Sequence, residues 1–148
     1  MKTEHSTIVI ASGGFDPIHS GHINYLNEAS KLGNYLVVAL NSDAWLIRKK
    51  GKAFMEWQER ATIISNLKSV DSVIEFDDFD NSAKNAILKV RQSNPKAKII
   101  FANGGDRTKE NIPEMSIEDN NLEFIFAVGG DYKKNSSSWI LKSWDQKN

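Results

Sequence analysis

No cysteine occurs among the 148 residues. Disulfides and thiolate metal sites are therefore excluded, and the absence suits a reducing cytosol. No apolar run approaches the ~20 residues that a membrane helix needs. The opening MKTEHSTIVIAS has too short an apolar stretch for a secretory leader, and Glu4 and His5 interrupt its start. An excess of either charge is missing too, with 19 Lys+Arg against 19 Asp+Glu. That balance argues against a nucleic-acid coat protein or a polybasic membrane binder. The expectation is a cytoplasmic protein with neither nucleic acid nor membrane as partner. Histidine is scarce at three residues, yet two of the three stand three positions apart in GGFDPIHSGH (13–22).

What is present reads as one domain spanning residues 1–148. Hydrophobic residues at 40% and charged residues at 26% are an ordinary globular balance. Short β-rich runs alternate with segments of helical period. TIVIAS (7–12), YLVVALN (35–41), SVIEF (72–76), KIIFA (98–102) and LEFIFAV (122–128) read as strands. Residues 21–33, 55–67, 82–93 and 136–144 read as helices, with Ile23, Leu26, Ala29 and Leu32 on one face of the first. Such alternation implies a parallel sheet with right-handed crossovers and helices on both faces. Three unusual loops (13–22, 103–113 and 129–135) follow strand carboxyl ends, the edge where open parallel sheets bind ligands.

The histidine pair sits in the first of these loops. Gly13 and Gly14 allow a sharp turn and close approach to a ligand, and Pro17 stiffens the loop. Ser20 or Gly21 opens the first helix, whose unpaired amides and partial positive charge attract phosphate. His19 precedes that terminus, His22 lies in its first turn, and Gly21 between them has no side chain to block a ligand. Two imidazoles at an anion site can stabilise charge developing on a phosphoryl group. No metal site is expected of them, since two imidazoles without cysteine fall short of a zinc set. His5 reads as solvated, the DDFD run (77–80) as a solvated loop away from the histidines, and the four tryptophans as core or interface.

These residues resemble the cytidylyltransferase-like nucleotidyltransferases. GGFDPIHSGH is similar to their H-x-G-H signature, NSD (41–43) to the close of their second strand, and RKKGK (48–52) with ER (59–60) and VDSVI (70–74) to their middle. GGD (104–106) is similar to their fourth-strand loop and SSSWIL (136–141) to their hydroxyl-rich entry into the last helix. The resemblance implies a Rossmann-like, doubly wound, five-stranded parallel sheet. It implies that a substrate phosphate attacks the α-phosphorus of a nucleoside triphosphate and pyrophosphate leaves. It assigns His19, His22 and Lys49 to catalysis. It assigns Gly13, Gly14, Phe15, Asp16, Gly21, Lys52, Gly105, Asp106, Ser136, Ser137 and Ser138 to nucleotide and phosphate binding, and Asp43 and Arg60 to the acceptor. Lys49 and Lys52 would clamp phosphates from a mobile loop around Gly51. Mg²⁺ is the implied cofactor, and a homodimer the implied assembly.

Two features of the residues themselves temper those roles. Arg60 can pair with Glu56 on its own helix, and Ser136, Ser137 and Ser138 can serve as a helix N-cap cluster. Length and the first half of the chain resemble glycerol-3-phosphate cytidylyltransferases, which favours CTP and a polyol or sugar phosphate. Asp131, Tyr132, Lys133 and Lys134 depart from the Arg-Thr-Glu-Gly stretch of that group, and Lys68 stands where it has an arginine. NSDA (41–44) and GGDR (104–107) look equally like the adenylyltransferase domain that activates heptose phosphates. An ATP-dependent enzyme for such an acceptor is the alternative, and a non-catalytic nucleotide-binding module is the second.

Overall fold

A computed structural model describes residues 5–105, 107–108, 112–130 and 136–147. The chain runs β1 (Thr7–Gly13), α1 (Ser20–Ser30), β2 (Tyr35–Leu40), α2 (Asp43–Lys50), α3 (Trp57–Ser65) and β3 (Ser72–Ile74). It continues through α4 (Lys84–Ser93), β4 (Lys98–Ala102), a 3₁₀ turn (Pro113–Ser116), β5 (Leu122–Ile125) and α5 (Ser137–Lys147). All strand pairs are parallel, in the order β3-β2-β1-β4-β5. The sheet is the Rossmann-like one the resemblance implies. After β3 the chain returns past β1 to start β4, so a topological switch falls between β1 and β4 and opens a crevice at their carboxyl ends.

Period-two alternation on β1 explains the two-sided core. Val9 and Ala11 face a cluster with Leu26 and Ala29 of α1 and Ala61 and Ile64 of α3. Ile8 and Ile10 face the other layer, with Ala86, Ile87 and Val90 of α4. A strand covered on both faces needs the continuous apolar run that TIVIAS provides. Among the described residues no helix is long and apolar enough to cross a membrane.

The main departure from the sequence reading is α2. Residues 43–50 form a helix rather than a mobile loop. Only Leu46 of this helix is buried, so the apolar periodicity that marks a helix is nearly absent. Its end signals are present nonetheless: the Ser42 hydroxyl accepts the Trp45 amide, and Gly51 adopts the left-handed conformation at φ 91° beyond a basic last turn. Strands three and five stop short of their expected ends, the latter just before Ala127 with φ 56°. His5 is half-buried, and its ring stacks on Tyr35 at 4.0 Å.

Candidate active site

A cleft of about 620 Å³ opens over the β1–β4 crevice. The first loop, α1, α2, the two later glycine-bearing loops and the start of α5 all contribute to its walls. His19 and His22 meet there because they cap a helix for each other. The Gly21 amide donates to His19 Nδ1 (3.0 Å), and the His19 amide donates to His22 Nδ1 (3.2 Å). The rings stack with centroids 3.8 Å apart, and the edge of Phe15 closes on His22 at 4.8 Å. An imidazole that accepts at Nδ1 carries its proton on Nε2. Each ring therefore bears its proton on Nε2 rather than on the nitrogen that caps the helix. Burial, then the neighbouring His19 and the Lys50 charge, lower the His22 pKa to about 3. His22 is thus an uncharged hydrogen-bond donor near neutrality.

The glycine pair acts differently from expectation. Neither Gly13 nor Gly14 has positive φ; that conformation falls on Phe15 (φ 50°). A Cβ on Gly14 would lie 2.9 Å from Leu46 Cδ2 and 3.1 Å from the Trp45 ring. The pair's second glycine lets α2 close against the loop. Gly13, Phe15, Asp16, Gly21 and Gly105 line the cleft, as do Ser136, Ser137 and Ser138. The Ser136 hydroxyl caps α5 by accepting the Trp139 amide (3.0 Å), and Ser137 donates to the Pro17 carbonyl (2.8 Å). Asp106, like Asp131, Tyr132, Lys133 and Lys134, lies outside the described residues.

Several charged side chains expected to meet ligands are instead committed to the protein. Arg60 has a fully buried side chain. It donates to the carbonyls of Met55 (2.9 Å), Gly14 (2.9 Å) and Asn41 (2.8 Å) and to Asp43 Oδ1 (2.6 Å). Its ion partner is Asp43, not Glu56, and it is absent from the cleft lining. Asp43 itself borders a second cavity of about 550 Å³ with Trp57, Glu75 and Asn85. Asp16 is 1% exposed, and its two oxygens accept the amides of Phe54 (2.6 Å) and Met55 (2.7 Å). The DDFD run is not a solvated loop throughout. Asp78 is buried and accepts from the Asn41 side chain, the Ser42 amide and the Ser42 hydroxyl.

Of the lysines, Lys49 lines the cleft from α2, over the Trp45 ring at 4.7 Å. Lys52 is exposed and outside the cleft lining. The structure adds Lys50, which donates to the Asp16 carbonyl (2.7 Å) and lines the cleft. Sequence reasoning passed over it because adjacent lysines are indistinguishable without knowing that they lie on a helix. Trp45 also joins the cleft wall, whereas Trp139 and Trp144, at 52% and 63% exposed, are not core. Tyr25 is a further addition: its hydroxyl donates to the Ala102 carbonyl (2.6 Å), and burial raises its pKa. Asn24 ties Gly129 by its carbonyl (2.8 Å), holding the third loop against α1.

Mg²⁺ finds no ready cage in these residues. Among the described residues no group of three His, Asp or Glu side chains stands close enough to hold a metal. Asp16, the carboxylate in the cleft lining, has both oxygens engaged by amides. The described residues form no protein cage for Mg²⁺, an ion ordinarily held by one or two carboxylates together with substrate phosphates.

Comparison with known proteins agrees with this geometry. The family model described as Cytidylyltransferase-like matches residues 10–143. The bifunctional protein HldE of Syntrophotalea carbinolica is 34% identical over 145 residues, covering 95% of this chain and 28% of that protein. HldE of Geobacter sulfurreducens is 30% identical over 98% of this chain and 29% of its own length. The chain thus spans under a third of these curated relatives. Among solved structures, the lipopolysaccharide core biosynthesis protein of Thermoplasma volcanium GSS1 superposes with a TM-score of 0.63 at 27% identity, covering 86% of this chain and 98% of that one. A putative nicotinate-nucleotide adenylyltransferase from Vibrio parahaemolyticus shares the fold at a TM-score of 0.61 and 14% identity, over 97% of this chain and 89% of that one. With the signature histidines locked at the switch point and nearly the whole sheet inside the matched span, the chain belongs to the cytidylyltransferase-like family of nucleotidyltransferases.

Proposed function

We propose that this chain is an adenylyltransferase that couples ATP to a phosphorylated sugar of the heptose type and releases pyrophosphate. The observation that carries the chemistry is the reciprocal cap of His19 and His22. It orients two Nε2–H groups at a helix N-terminus. Oriented donors of this kind contribute most to the charge that builds on a phosphoryl group as the acceptor phosphate attacks. No covalent enzyme intermediate is needed. Lys49 and Lys50 add positive charge from α2, and the amides of the first loop and of the α5 start complete the polyanion site.

For the nucleobase and acceptor, the support comes from similarity. The HldE relatives and the lipopolysaccharide core biosynthesis protein agree with the heptose-phosphate resemblance of NSDA and GGDR. They weigh against the CTP and glycerol 3-phosphate reading, which rested on chain length and the first half. Mg²⁺ would enter on the triphosphate oxygens. Residues 1–148 acting as one domain, a homodimer and a cytoplasmic setting complete the proposal.

The test is pyrophosphate release from ATP and CTP across heptose phosphates, glycerol 3-phosphate and other sugar phosphates. Release with ATP and a heptose phosphate supports the reading. Release only with CTP restores the polyol alternative. No release from any pair, with measurable triphosphate binding, makes the chain a binding module.

A further inference from the structure

Arg107 carries no role in the motifs above, yet it lines the same cleft as the histidine pair. The strand order places the loop that carries it on the β4 side of β1, while Lys49 and Lys50 come from the β2 side. With strands about 4.8 Å apart, the two banks face each other across roughly 10 Å, and the histidines stand between them. A guanidinium is always charged and presents a fork that matches phosphate oxygens.

Behind Arg107 lies Glu114, in the 3₁₀ turn and 1% exposed. Its Oε2 accepts the Ala83 amide (2.9 Å) at the start of α4. Its Oε1 is buried without a hydrogen-bond partner among the described residues. Nη2 of Arg107 approaches Oε1 to 3.9 Å, within ion-pair range and too long for a hydrogen bond, while 45% of the arginine side chain stays exposed. A buried carboxylate oxygen without a donor is unfavourable, and a cation at that distance offsets this only in part. Arg107 is therefore tethered without being saturated. Its charge reaches as far as the Tyr25 hydroxyl on the cleft wall, where it opposes the effect of burial. Among the described lining residues, the cations Lys49, Lys50 and Arg107 face the single carboxylate Asp16, whose oxygens are already engaged.

We propose that Arg107 grips the nucleotide's phosphates from the bank opposite Lys50, with Glu114 as the positioning residue that keeps its guanidinium there. This rests on the nucleotidyl-transfer reading for its ligand. Binding draws the fork onto phosphate oxygens while the buried carboxylate continues to hold the arm on the β4 side.

Calorimetric binding of inorganic tripolyphosphate and of ATP, together with steady-state kinetics, tests it. Arg107→Ala is expected to weaken both ligands about tenfold or more, the loss of one charge-assisted contact. It should raise KM for ATP and leave KM for the acceptor within about twofold, since the contact is to the nucleotide. Arg107→Lys should recover part of the affinity, because charge returns without the fork. Glu114→Gln should raise KM for ATP by a smaller factor at nearly unchanged kcat and melting temperature. In the double variant the Glu114 effect should vanish, because its target is gone. Wild-type affinity in Arg107→Ala, or equal loss for nucleotide and acceptor, would overturn the proposal. An additive double variant would remove Glu114 from it. Arg107-dependent tripolyphosphate binding without any pyrophosphate release would sink the enzymatic reading and leave this one standing. No polyphosphate binding by the wild-type chain would sink both.

Discussion

On the α1 side of the cleft, His19 and His22 each accept one backbone amide at Nδ1 and line the cleft. On the α2–α3 side, Arg60, Asp16 and Asp78 give nearly everything to the protein. Both sides hold polar residues that a family motif marks for function. The histidine rings line the cleft, whereas Arg60 and Asp78 lie outside its lining. How many of a polar group's bonds the fold already uses, rather than residue type or motif membership, is what marks a strut.

Removing a strut should give the largest effect, and on stability. Arg60→Ala removes the donor from three carbonyls and the partner from the half-exposed Asp43 carboxylate, a loss of about 3–5 kcal/mol for taking a buried charge out of its network. Urea unfolding should show it. A variant of normal stability with a raised acceptor KM would instead make Arg60 a ligand contact and erase the contrast. The histidines should show the opposite pattern. His19→Ala and His22→Ala are each expected to lower kcat by about 10²–10³-fold, as for loss of an oriented transition-state donor. Loss of the cap should cost only about 1 kcal/mol of stability. A rise in KM alone would mean that the rings bind the ground state.

A pH measurement sharpens the same side. His22 binds its proton with a pKa of about 3 when folded, against an ordinary value of 6.5. Between those values the unfolded chain takes up a proton that the folded chain refuses, so stability falls as pH drops through that window. The slope is at most about 1.4 kcal/mol per pH unit, and less because the ring is only partly buried. His22→Gln should flatten it, and an unchanged slope would assign the acid sensitivity to other groups. The smallest effect distinguishes the adjacent lysines. Lys50→Ala should weaken ATP binding by about tenfold, as for one charged contact, and more than Lys49→Ala does. The reverse order would return the clamp to Lys49.

Which parts of this were legible in advance follows from the same physics. The alternating strands and helices announced the sheet, because buried parallel strands need continuous apolar runs and β1 has one. The histidine loop was legible because turn, strand end and helix start fall within ten residues. Helix α2 was not, since a helix that buries only Leu46 carries almost no periodic signal. Lys50 was hidden with it. The partners of Arg60 were hidden because its carbonyl acceptors come from three separate segments, Gly14, Asn41 and Met55. Asp78 was misjudged because a run of acids reads as solvent-facing until Ser42 and Asn41 are brought to it.

The mutual latch of His19 and His22 has a consequence for how this protein can change. Under the proposed chemistry, better helix starters such as serine or aspartate would be ruled out at position 19, because the one ring would have to serve backbone and ligand at once. Drift in nucleobase or acceptor preference must then accumulate in the surrounding loops, while the turn into the first helix stays fixed.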